Sequence, residues 1–169
     1  MFMEMEVLHK ATLGLASFVL LLAAASDAKS FRIPNLASIV LIALFPAFVL
    51  TSPTDIPWKE HLAVFALIFA IGYALYAKKF AGAGDIKLVS VLSLWAGPLF
   101  TGTFLFVTAL AGGILSLGIG LQVFLNHRFS KSQEKLKLSQ IPIPYGVAIA
   151  VGGLCMLALM SHQDLLAMV

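Results

Sequence analysis

The chain alternates long apolar runs with short polar breaks. Six runs stand out, at about 11–26, 33–51, 61–77, 86–100, 102–125 and 143–161. A helix of roughly 18 or more apolar residues crosses a hydrocarbon core about 30 Å thick, so the pattern predicts membrane helices. The fourth run is short and shares the break "WAGPLFTG" with the fifth, where Gly97-Pro98 and Gly102 mark a turn. Merging these two runs gives a five-span alternative. No repeat of solenoid period and no low-complexity segment interrupts the order. The expectation is an all-α, polytopic membrane helix bundle of about six transmembrane helices, with residues 1–169 as a single membrane-embedded domain.

Composition sharpens this picture. Of 169 residues 60% are hydrophobic and 11% charged, with a mean hydropathy of +1.00; a soluble domain carries about a quarter charged residues. The first run lacks a clean small-residue cleavage site after it and is therefore read as a span rather than a signal peptide. Cys155, the single cysteine, lies inside an apolar run, where it can form neither an internal disulfide nor a zinc cluster and reads as packing. The net charge of +3 does not call for nucleic acid, because in a membrane protein the informative quantity is where the cations sit.

They sort by loop. The first, third and fifth breaks hold Lys29, Arg32, Lys78, Lys79, Lys87, Arg128, Lys131, Lys135 and Lys137, while Lys10 and Lys59 fall on the other side. The positive-inside rule places the odd breaks in the cytoplasm and both termini on the outer side. The merged reading would put the basic fifth break on the wrong side, which favours six spans.

Against this frame the acidic residues separate. Glu4, Glu6, Asp55, Glu60 and Asp164 belong to the outer side, and Glu134 sits in a basic loop. Asp27 and Asp85 are different: one follows "LLLAAAS" at the inner end of the first span, the other follows "GAG" at the start of the fourth. Both stand at the depth where apolar sequence begins, and ionisable residues there face a bundle interior, a cavity or a partner. Each has an ordinary reading as well. Asp85 could be a helix N-cap, and Asp27 could be an interfacial residue paired with Lys29 or Arg32. An ordinary cap, however, needs neither Gly82 nor Gly84, and glycine permits both close approach and unusual φ values.

Two carboxylates at one site of low dielectric do not ionise together easily. They share a proton, so that one acts as base toward water while the other polarises a carbonyl. Such chemistry needs no metal, no cofactor and no nucleophilic side chain. His9, His61, His127 and His162 lie at loops or span ends without a metal-binding spacing. A Ser–His pair drawing on Ser26, Ser90 or Ser93 would need a histidine inside the membrane, and none has an obvious position there. Two other classes remain open from the residues alone: an ion-coupled carrier using the carboxylates, and a non-catalytic membrane assembly factor.

The segment "GAGDIKL", Gly82 to Leu88, resembles the Gly-x-Gly-Asp-x-Lys motif of the type IV prepilin peptidases. "DAKSFRIPN", Asp27 to Asn35, is similar to the segment that carries the first aspartate of that family, and "IPYGVAIAVGG", with Pro144, Tyr145 and Gly146, to its last-span signature. The spacing of the three blocks resembles the short, Flp-type branch of tight-adherence systems. The resemblance implies an intramembrane aspartyl endopeptidase in the cell inner (cytoplasmic) membrane, with Asp27 and Asp85 as the catalytic pair. Its substrates would be prepilins and pilin-like proteins, relieved of a short leader at the cytoplasmic face. The longer members carry two Cys-x-x-Cys pairs, absent from this chain with its one cysteine, so their N-methylation activity is not implied.

The remaining motif residues have two readings each. Lys87 could balance the charge of the pair or meet an acidic substrate residue, or simply anchor the inner face. Arg32 and Asn35 match the family segment, while Pro34 suits the first position of a helix. The loop "NHRFSKSQEKLKLSQ" could attract anionic lipid or an acidic substrate segment, and Gly112, Gly113, Gly118 and Gly120 read as a packing face.

Overall fold

A computed structural model of the chain describes residues 2–129 and 143–167. All regular structure among the described residues is helical: α1 (Phe2–Ser30), α2 (Asn35–Thr51), α3 (Trp58–Ala77), α4 (Ala83–Phe129) and α5 (Tyr145–Ala167). Four stretches are long and apolar enough to cross a membrane, Glu4–Ser30, Trp58–Ala77, Ala83–Leu125 and Tyr145–Gln163; α2 is equally apolar but has 17 residues. The cations and the glutamate expected in the fifth loop, Lys131, Lys135, Lys137 and Glu134, lie outside the described residues.

The ends of the helices follow from local chemistry. Phe31, at φ 52°, closes α1 by donating its N–H to the Asp27 carbonyl at 2.8 Å, the single-bond left-handed cap. At the end of α3 Lys79 takes φ 61°, with Lys79 N–H bonded to Tyr76 O and Phe80 N–H to Leu75 O, the paired bonds of a Schellman motif. Pro34 stands one position earlier than expected, at the N-cap of α2 with ψ 132°, where its missing N–H costs nothing.

Gly97 is non-helical, at φ 57° and ψ −168°, and Pro98 follows it. The consequence is a reversal. From Asp85 to Ser116 a straight helix would measure about 46 Å. Yet Ser116 Oγ lies 3.2 Å from the Tyr145 hydroxyl, and Tyr145 shares a cavity with Asp85. The two arms of α4 therefore run in opposite directions. The break that the sequence marks at Gly97-Pro98 is present, although the helix is continuous in hydrogen bonding on either side of it.

The core is built from Ala16, Leu20 and Ala23 of α1, Leu41, Phe45 and Phe48 of α2, Leu88, Leu92 and Trp95 of α4, and Ile149 and Met156 of α5. Trp95 Nε1–H donates to the Leu41 carbonyl at 3.0 Å, giving the one polar atom of a fully buried ring a partner. The α3 helix packs on α4 and leaves most of its surface exposed.

At the end of the bundle opposite Asp27 and Asp85, His9 stacks on Phe48 and hydrogen-bonds Thr51, while the His61 Nδ1 lies 2.8 Å from the Leu94 carbonyl. Both histidines are buried in helices near span ends, His61 in the first turn of α3, so the expected position at span ends holds and neither lies in a loop. Ser26, Ser90 and Ser93 each donate to a backbone carbonyl, of Arg32, Ile86 and Val89 respectively.

Candidate active site

Asp27 is buried, at 4% exposure, in the last turns of α1. Its Oδ2 accepts the Gly146 N–H at 2.7 Å. The first N–H groups of a helix have no acceptor within it and carry its positive end, so a carboxylate there is stabilised twice. The arrangement depends on Gly146 having no side chain: an added Cβ would lie 2.8 Å from Asp27 Cγ. The reading of Asp27 as a surface residue paired with Lys29 or Arg32 thus gives way to a buried contact with α5.

Asp85 is half-buried in the first turn of α4, two residues after its start at Ala83. It holds the third helical position rather than the N-cap, and its carboxylate accepts a hydrogen bond from the Gly82 backbone, the return half of a capping box. The glycines beside it do their work by absence of volume. A Cβ on Gly82 would stand 2.8 Å from Asp85 Oδ2, and one on Gly84 3.3 Å from Ile33 Cβ. Gly97 is the one described glycine at positive φ, so the unusual φ expected for Gly82 or Gly84 is not what the motif supplies; room for the carboxylate and for the α1–α2 connection is.

The two aspartates open onto one cleft of about 370 Å³ and interact electrostatically. Gly82, Ala83 and Gly84 form one wall, Phe31, Arg32 and Ile33 a second, and Ile143 and Tyr145 a third. Three segments distant in sequence thus meet at one end of the bundle. Arg32 brings a cation to the wall, held by the Ser26 hydroxyl donating to its carbonyl at 2.9 Å. Tyr145 is braced by Ser116, and its ring passes over Gly112, where a Cβ would lie 3.3 Å from Cε1. Among the described residues nothing lies against Gly113, Gly118 or Gly120, whereas Gly112 packs on Tyr145 and Ala148.

Lys87 and Asn35 stand outside the cleft wall. Lys87 Nζ donates to Asn35 Oδ1 at 3.0 Å, tying α4 to the start of α2. Pro144 is also off the wall and positions the turn into α5, its carbonyl accepting the Val147 N–H at 3.2 Å. Sequence reasoning missed Phe31 and Ser116, and weighed Ser26 only as part of a Ser–His pair, not as the hydroxyl that holds the Arg32 backbone.

The model of the type IV leader peptidase family matches residues 14–117, more than half of the chain. The chain belongs to the type IV leader peptidase family. Nothing matches among curated proteins or among solved structures. The residues matched to the leader peptidase family include both aspartates, both glycines of the motif, Arg32, Asn35 and Lys87, whereas Pro144, Tyr145 and Gly146 come from beyond them.

Proposed function

We propose that this chain is an intramembrane aspartyl endopeptidase that removes the short leader from prepilins and pilin-like proteins, in the manner of the Flp-type branch and without methylating the new N-terminus. The observation that carries the reading is the convergence of Asp27 and Asp85, from α1 and α4, on one open cleft at one end of an apolar bundle. In this reading the ionised carboxylate takes a proton from a water, which attacks the scissile carbonyl carbon. The protonated partner donates to the carbonyl oxygen, and the tetrahedral species collapses as the leaving nitrogen takes up a proton. Gly146 N–H holds Asp27 in place through the sequence, and burial keeps competing water away from it.

The same reading places the chain in the cytoplasmic membrane with six crossings, counting the two arms of α4 separately. The cleft end, with Lys29, Arg32, Lys78, Lys79 and Lys87 around it, faces the cytoplasm, and Lys10 and Lys59 mark the outer end.

The test is prepilin processing in membranes holding the full chain, with insertion checked. Asp27→Asn and Asp85→Asn each lose roughly 10²–10⁴-fold or more in rate, and the double variant is little worse than either. Asparagine keeps an acceptor oxygen for Gly146 N–H, so folding survives. Cleavage at near wild-type rate by Asp85→Asn refutes the mechanism.

A further inference from the structure

Asp27 and Asp85 stand on helices that do not pack along one another. The α1 helix packs on α2 and α5, and α4 packs on α2, α3 and α5, so the separation of the two carboxylates is set through the helices between them. On the α5 side the Gly146 N–H holds Asp27. On the α2 side a short path of contacts runs round the cleft. The α1–α2 connection is tied back to the end of α1, by the Phe31 N–H donating to the Asp27 carbonyl at 2.8 Å and by the Ser26 hydroxyl donating to the Arg32 carbonyl at 2.9 Å. Asn35 then opens α2. Its Oδ1 accepts the Lys87 ammonium at 3.0 Å, and Lys87 belongs to the same helical turn as Asp85.

Three observations separate this bond from an ordinary surface contact. Residues two apart on a helix point to opposite sides, about 200° round the axis, so Lys87 turns away from the cleft that Asp85 lines, and the cation on the cleft wall is Arg32. The neighbours of Lys87 hold the same turn. Gly84 lets it close on Ile33, where a Cβ would lie 3.3 Å from Ile33 Cβ, and Ile86 sits against Gly72 of α3, where a Cβ would lie 2.6 Å from Ile86 Cγ2. Finally, a cation at the start of α2 meets the positive end of that helix, so stability alone is a poor reason for placing one there.

We infer that the Lys87–Asn35 pair is a positioning strut, which fixes the first turn of α4 against the α1–α2 connection and so sets the distance at which the Asp85 carboxylate faces Asp27. The inference rests on the peptidase reading, because a pair that shares one proton works only at a held separation. In this role Lys87 touches neither the aspartates nor the peptide; it acts through the backbone of the turn. An ammonium only donates, so what Asn35 supplies is an acceptor oxygen, and a carboxylate of the same length serves as well.

The experiment measures kcat and KM separately for prepilin processing, in membranes holding the full chain at matched insertion. Lys87→Met and Asn35→Ala each lower kcat by roughly 10-fold and leave KM within about twofold. The double variant is no slower than either single, and Asn35→Asp, which keeps the acceptor, stays near wild type. Both side chains are exposed, and methionine and alanine are good helix formers, so the variants fold. If Lys87→Met is slow and Asn35→Ala is not, the ammonium acts by its charge and the strut is wrong. A loss confined to KM makes Lys87 a substrate contact instead. Losses that multiply in the double variant, or an Asn35→Asp as slow as Asn35→Ala, also overturn the strut. Each of these results leaves the peptidase standing. A wild-type chain that cleaves no prepilin ends the peptidase reading, and the strut falls with it.

Discussion

Replacing Gly146 by alanine tests whether the start of α5 sets the position of Asp27. The added Cβ would lie 2.8 Å from both Cγ and Oδ2 of Asp27 and 2.9 Å from its Cβ. Reaching the edge of ordinary contact at 3.4 Å requires a displacement of about 0.6 Å, shared between two helices packed side by side. That movement also lengthens the 2.7 Å bond from Gly146 N–H, a charge-assisted contact of a class worth roughly 1.5–3 kcal/mol. Overpacking of this size costs about 1–3 kcal/mol, and a misplacement approaching 1 Å in a catalytic group costs about 100-fold in rate. The expected outcome is a prepilin processing rate near 1% of wild type together with a lower Tm in detergent. The control is Asp27→Gly, which removes all three clashing atoms. In that background Gly146→Ala becomes neutral or gains up to about 1 kcal/mol, since alanine is the better helix former. A positive coupling between the two positions is the signature of contact. Wild-type processing and Tm in Gly146→Ala, or equal destabilisation with and without Asp27, would refute the argument.

Four further outcomes follow from the geometry. Gly82→Ala places a methyl against Asp85 Oδ2 and lowers the processing rate by roughly 10-fold or more, with a smaller effect on Tm than Gly146→Ala because Asp85 is only half-buried. Gly97→Ala meets both a left-handed φ and the His61 imidazole. It costs about 2–4 kcal/mol, and His61→Ala recovers part of the loss in thermal unfolding. Trp95→Phe removes the bond to the Leu41 carbonyl and lowers stability by about 1 kcal/mol without changing the pH dependence of cleavage. Reporter fusions truncated after Lys79 report the cytoplasm; an outer-side signal there would overturn the proposed orientation.

The apolar runs made the helices legible because lipid imposes a length and a composition that few other structures share. Even the turn at Gly97-Pro98 was readable, since two residues that oppose helix continuation stand together. Its character was not: at its positive φ Gly97 passes against the His61 imidazole, 36 residues upstream, and no local pattern announces that contact. The aspartates were legible as carboxylates at the edge of apolar sequence. Why the glycines accompany them was legible in part. Gly82 and Gly84 suggested close approach or unusual backbone angles, and the first is what they provide, as empty volume beside Asp85 and Ile33. The same holds for Gly146, whose N–H meets a side chain 119 residues away. A short motif names the residue types, but a steric requirement between distant segments is visible only once the segments are packed. Lys87 shows the converse. Its place in the Gly-x-Gly-Asp-x-Lys pattern suggested a partner for the carboxylates, and the helical spacing instead turns it toward Asn35.

The shortness of α2 has a physical effect on its surroundings. Its 17 residues rise about 25 Å, some 5 Å less than a typical hydrocarbon core. Lipid beside a short helix thins to match it, at a cost of a fraction of a kcal/mol per ångström. The α2 helix begins two residues after Ile33, on the lip of the cleft, so the dent in the bilayer forms next to the aspartates. On the proposed peptidase reading, that thinning brings headgroup water, the second substrate of a hydrolysis, nearer to Asp85 and makes bilayer thickness a control on how often it arrives.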